Sequence, residues 1–126
     1  MMFFFDNNLS SKLPAGLRGF GEKATHLQDH FAGDTPDAKW ITDIAAWGWI
    51  LVTRDLRIKR NPAEKGALRE GRLGAFFLSG KNRTHCQLIQ QVVRHWPQMK
   101  VLASKTPKPF AFRVPPTGTK IDPIAL

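Results

Sequence analysis

Short, unbroken apolar runs recur along this chain, and each stops at polar residues. Residues 2–5 end at Asp6-Asn7-Asn8, residues 49–53 end at Arg54-Asp55, and Gly74–Leu78 ends at a turn over residues 79–82. Strands that are apolar throughout, rather than alternating, are buried on both faces, as in parallel sheets covered by crossover helices. Segments of helical character lie between them. Residues 10–17 read as a short helix, followed by a second strand over 23–27. Thr35-Pro36-Asp37 opens the next helix, with Thr35 as N-cap, Pro36 at the first helical position and Asp37 in the first turn; it stops at Gly48. Asn61-Pro62-Ala63-Glu64 opens a third, with Glu64 placed to cap back, and Gly71 ends it. Residues 84–95 form an amphipathic helix with a core stripe of Leu88, Ile89, Val92, Val93 and Trp96, while Gln87, Gln91 and Arg94 face out. A fifth strand over 99–103 and a short edge strand over 110–114 complete the reading. The pattern predicts an α/β fold with a mostly parallel central sheet.

A chain of 126 residues holds one core. The expected division is a domain over 1–104 and a basic, Pro-rich tail over 105–126. No apolar run approaches the roughly 20 residues of a membrane helix, and residues 1–5 lack the basic start and cleavage site of a signal peptide. The lone Cys86 excludes an internal disulfide and fits a reducing compartment, so a cytoplasmic location is expected. The net charge of +9 is unevenly distributed. Residues 1–55 hold five basic and seven acidic side chains, and residues 56–126 hold fourteen and three. Such a balance favours a polyanionic partner, nucleic acid first.

The topology also gathers carboxylates. Parallel crossovers put strand C-termini and helix N-termini on one edge, where open α/β sheets bind ligands. Asp6 follows the first strand, Asp55 follows the third, and Asp37 opens the helix after the second, on the stripe of Ile41 and Ile44. Asp29, in the loop after the second strand, is placed to join from outside, while Asp43 is spaced to pair with Lys39. Taken singly, Asp6 reads as a helix cap, Asp37 as a first-turn dipole residue and Asp55 as a turn aspartate. Together they repel unless a cation sits between them, and hard divalent ions take such oxygen donors. A metal held this way activates water beside a phosphodiester. Asn8 and Thr53 are the candidate supporting residues, Asn8 for a hydrogen bond at the metal and Thr53 to orient Asp55. Arg54, Arg57, Lys59 and Arg60 follow the third strand directly and are the candidates to hold a nucleic-acid backbone, with Lys105, Lys108 and Arg113 behind them.

The run Phe3-Phe4-Phe5-Asp6-Asn7-Asn8-Leu9 resembles the opening of PIN-like domains. So do His26-Leu27-Gln28-Asp29, Pro36-Asp37-Ala38-Lys39-Trp40-Ile41 and Leu51-Val52-Thr53-Arg54-Asp55. The ordered set is similar to the compact branch containing VapC-type toxins and Mut7-C-like nuclease domains, over roughly residues 2–80. The resemblance implies a Rossmann-like PIN-type α/β/α sandwich and a Mg²⁺- or Mn²⁺-dependent endoribonuclease, usually the toxin of a toxin–antitoxin pair. RNA and an antitoxin protein are then the partners, and Asp6, Asp37 and Asp55 the metal-binding acids. Larger PIN nucleases usually carry a fourth acid, and Asn7 stands where relatives often have Glu; Asp29 is the residue expected to supply that charge. The alternative is a catalytically inactive module of this fold that binds nucleic acid or a partner protein, and a small phosphatase-like hydrolase is a third reading.

Other signals are weak. The stretch from Gly74 to Gly80-Lys81 is one residue too long for a phosphate loop and has Asn82 where Ser or Thr belongs. His26, His30, His85 and Cys86 lack zinc-site spacing. Trp40, Trp47 and Trp49 are expected to pack in the core rather than stack on bases. The apolar residues of the tail suggest a homodimer or partner docking.

Overall fold

In the computed structural model, which describes residues 1–125 apart from the side chain of Lys59, one mixed sheet organises the chain. Strands β1 (Phe3–Phe5), β2 (Ala24–His26), β3 (Ile50–Thr53), β4 (Gly74–Leu78) and β5 (Phe110–Val114) run parallel in the order β2-β1-β3-β4-β5. β6 (Asp122–Pro123) pairs antiparallel with β5. Helices α1 (Lys12–Gly19) and α4 (His85–Lys105) cover one face, packing Leu13, Leu17, Val92 and Trp96 against Phe3, Phe5, Val52 and Phe76. Helices α2 (Asp37–Ala46) and α3 (Pro62–Glu70) cover the other, packing Trp40, Ile41, Ile44 and Leu68 against Phe4, Leu51 and Phe77. Successive strand residues therefore serve different cores, which is why the strands are apolar at every position. Gly74 permits this packing at the start of β4, because a Cβ there would lie 2.4 Å from the Phe110 ring. No helix among the described residues is long and apolar enough to cross a membrane.

The strand order places a topological switch point between β1 and β3. The chain leaves β1 toward β2 on one side and leaves β3 toward β4 on the other, which opens a crevice at the strand C-termini.

Several expectations change. No strand forms over 99–103, because α4 continues through Pro97 to Lys105. Pro97 removes the donor for the Val93 carbonyl, but Val93 is exposed, so water can serve that carbonyl. Trp96, Met99 and Ala103, all buried on the sheet, carry the helix across. The buried face of α4 is Leu88, Gln91, Val92, His95, Trp96, Met99 and Ala103, so Gln91 faces in, and Ile89 and Val93 face out. With the exposed Phe20 they line a small apolar hollow between α1 and α4. The strand expected at the edge, β5, lies inside the sheet, with Phe110, Ala111, Phe112 and Val114 buried and β6 outermost. α2 starts at Asp37 with Pro36 in the cap position and no side-chain cap from Thr35. Trp40 is buried as expected, whereas Trp47 stays half-exposed, stacked on Phe31 and edge-on to Trp49.

Candidate functional site

Asp6 is the first residue past β1, and its carboxylate is 2% exposed. One oxygen accepts from the backbone N–H of Asn8 at 3.2 Å, and the other accepts from the Thr53 hydroxyl. The Thr53 oxygen in turn accepts from the backbone N–H of Asp55 at 2.9 Å. A single hydroxyl at the end of β3 thus ties Asp6 by its side chain and Asp55 by its backbone. The Asn8 side chain lies close enough to both carboxylates to lower each. Burial pushes the Asp6 carboxyl up to about 6; the bonds from Thr53 and Asn8 offset part of this, and the Asp55 charge adds to it.

Asp55 lies two residues past β3 and caps the 3₁₀ turn Leu56–Lys59. Arg57 closes on it, with Nε at 2.9 Å from one oxygen and Nη2 at 3.1 Å from the other, while the Arg57 N–H donates at 3.0 Å. Burial pushes Asp55 up, but the side-chain and backbone bonds from Arg57 outweigh it and hold the carboxyl below its ordinary value.

A further carboxylate, Glu64, enters from the first turn of α3. The Asn61 side chain caps that helix by accepting from the N–H groups of Ala63 and Glu64. The Glu64 carboxyl instead lies near that of Asp37, in the first turn of α2. Burial first, then the charges of Asp37 and Asp55, raise Glu64 above its ordinary value. Asp37 also accepts from the Trp40 indole at 3.0 Å. By its sequence alone, Glu64 reads only as a capping residue. The signal that could have found it is the one that found Asp37, a carboxylate in the first turn of a helix that follows a strand.

The acids therefore form a row along one edge, Asp6, Asp55, Glu64 and Asp37, in which Asp55 raises Asp6, and Asp37 and Asp55 raise Glu64. Asp29 is held elsewhere. Its carboxylate accepts from the Thr25 hydroxyl and the His26 N–H, each at 3.3 Å, and lies 3.8 Å from Arg18. The fourth acid of the edge is Glu64 rather than Asp29. Asp43 pairs with Lys39 at 3.0 Å, as its spacing predicts.

Among the described residues, no three His, Cys, Asp or Glu side chains already form a cation cage. The donor set nonetheless suits a hard divalent ion. It is all oxygen, and it includes a desolvated carboxylate and two neighbouring carboxyls, both of which positive charge relieves. In this arrangement Arg57 supplies that charge to Asp55.

Basic side chains are sorted by the direction of the strands. Arg54 leans over the β3–β4 side, with Nη2 3.4 Å from the Gly80 carbonyl, beside a cleft of about 420 Å³ that Asn8, Asp55, Ser79 and Lys81 also line. Arg57 is committed to Asp55, Arg60 is exposed after the 3₁₀ turn, and the Lys59 side chain lies outside the described residues. Lys105 and Lys108 precede β5 at the opposite edge, where Lys108 donates to the Gly48 carbonyl at 3.1 Å.

A parallel sheet between two helical layers, with acids flanking its switch point, defines an α/β protein with an acidic edge site. The chain belongs to the PIN-like domain family, whose description, PIN like domain, matches residues 1–80. It is also 27% identical over 121 residues, covering 90% of this chain and 86% of the relative, to the Mycobacterium tuberculosis (strain ATCC 25618 / H37Rv) protein named "Putative ribonuclease VapC45". No solved structure matches the chain.

Proposed function

We propose that this chain is a divalent-metal-dependent endoribonuclease, the toxin of a toxin–antitoxin pair, acting in the cytoplasm on RNA and neutralised by an antitoxin protein. The observation that carries the reading is the row of carboxylates across the switch point, bordered by cationic side chains. The family membership and the ribonuclease name of the relative support it. Asp6 and Asp55 would hold Mg²⁺ or Mn²⁺, with Glu64 and Asp37 completing the acidic shell. When bound, the ion supplies an activated water and neutralises charge on the phosphodiester in transit.

The remaining work falls to the chain. Thr53 and Asn8 fix the two carboxylates against the strand ends, so little reorganisation is left for the reaction. Glu64, raised by burial and by Asp37, would be the chain's own base for a water proton at this edge. Arg54 and Lys81 hold the flanking phosphates. Arg57, which now pairs with Asp55, would have to release it for that carboxylate to hold an ion.

The test is incubation of single-stranded RNA with the protein and Mg²⁺, Mn²⁺ or EDTA, beside Asp6→Asn. Cleavage that needs the ion and vanishes in the variant is expected. A second reading, a non-catalytic RNA-binding module, draws on the closed Asp55–Arg57 pair. RNA binding without cleavage in either ion selects it.

A further inference from the structure

We infer that the bound RNA leaves the acidic row in one direction only, over the ends of β4 and β5, and seats a ribose-phosphate unit in the cavity between Arg83 and Arg94. This path rests on the RNA reading above.

The edge is electrostatically lopsided. On the β2 side it carries Asp34 and Asp37, with Glu64 beside Asp37, and a phosphate chain is repelled there. On the β4 side it carries Arg54 and Lys81, then Arg83 and Arg94. Strands are spaced about 4.8 Å apart, so the end of β5 lies only about 10 Å from that of β3. One single strand of RNA can span both.

That second position is built rather than merely basic. A cavity of about 150 Å³ is lined by Arg83 just before α4, by Gln90, Gln91 and Arg94 within its first half, and by Pro116 and Thr117 from the loop after β5. Gln91, 2% exposed, donates its amide to the carbonyls of Ser79 at 3.0 Å and Val114 at 3.1 Å, which leaves its Oε1 without a donor. Arg83 fixes its Nη2 on the carbonyls of Pro116 and Gln87, both at 3.3 Å, and its Nε has no acceptor. Buried polar atoms are rarely left unpaired. A ribose-phosphate unit in the cavity would meet both needs once the Arg83 and Gln91 side chains turn toward it, since its phosphate accepts and its 2′-hydroxyl donates. In the loop after β4, Gly80 sits at φ +116°, where a Cβ would press on Arg83 and Pro116 at 3.0 and 3.1 Å.

The experiment is fluorescence anisotropy of a labelled single-stranded RNA in EDTA, titrated at several salt concentrations. Lys81→Gln and Arg94→Gln change exposed side chains, and Lys23→Gln, ahead of β2 at the far edge, is the charge-matched control. Melting curves confirm that each variant is folded. Each of the first two should weaken binding by roughly three- to tenfold and flatten the salt slope by about 0.7 per lost phosphate contact. Arg94→Lys should restore part of it, and Lys23→Gln should bind as wild type. Wild type that binds no RNA, track variants that bind as wild type, or an equal loss in Lys23→Gln overturns the path. Because no cleavage is read, failure of catalysis with this binding pattern intact removes only the nuclease reading. Cleavage without the pattern removes only the path.

Discussion

Replacing Asp6 by Asn should make the metal-free protein more stable while destroying its activity. The buried Asp6 carboxyl is pushed from 3.8 to about 6 by desolvation. Between those values the folded state binds more protons than the unfolded state, so wild-type stability falls as pH rises from about 4 to 6 and is level above. At about 1.4 kcal/mol per unit, holding Asp6 ionised at pH 7.5 costs the fold up to about 3 kcal/mol. Asn keeps the shape and an acceptor for the Asn8 N–H but carries no charge to desolvate. A gain of about 1–3 kcal/mol is expected, which for a chain of this size raises Tm by roughly 4–12 °C. The assay is thermal unfolding followed by circular dichroism in EDTA from pH 4 to pH 8. The two proteins should converge near pH 4 and separate above pH 6, and added Mg²⁺ should stabilise the wild type more than Asp6→Asn. An Asp6→Asn variant that melts at or below wild type at pH 7.5, or a difference that ignores pH, refutes the reasoning.

Other substitutions probe the remainder of the row. Thr53→Val removes the hydroxyl that donates to Asp6 and accepts from the Asp55 N–H; it should cost about 1–3 kcal/mol in stability and about 10–100-fold in Mn²⁺ affinity by calorimetry. Glu64→Gln relieves the contact with Asp37 and should leave the fold intact while cutting the RNA cleavage rate by about tenfold or more. Arg57→Gln frees Asp55 from its bidentate partner and should tighten Mn²⁺ binding several-fold; weaker binding would mean that Arg57 does not compete with the ion.

The strands and two of the acids were legible because the rules involved are local. An unbroken apolar run that ends in Asp puts that Asp at a parallel strand terminus, which placed Asp6 and Asp55. Glu64 was hidden by a sufficient local explanation. Asn61-Pro62-Ala63-Glu64 satisfies the grammar of a helix start, and nothing within that segment reveals that Asp37 waits across the α2–α3 contact. The inward turn of Gln91 has the same origin. Its partners are the carbonyls of Ser79 and Val114, one of them 23 residues away, so periodicity alone put the glutamine outside. Pro97 misled because its local penalty is outweighed by the burial of Trp96, Met99 and Ala103, a gain visible only once the sheet lies beneath the helix. β5 looked like an edge strand because β6, two residues long, has no sequence signature of its own.

The most direct measurement is an anomalous difference map from crystals grown with Mn²⁺. A peak within bonding distance of the Asp6 and Asp55 carboxylates, with Arg57 turned away from Asp55, is the predicted result. Crystals in which Arg57 still grips Asp55 and Mn²⁺ sits away from this edge would contradict it.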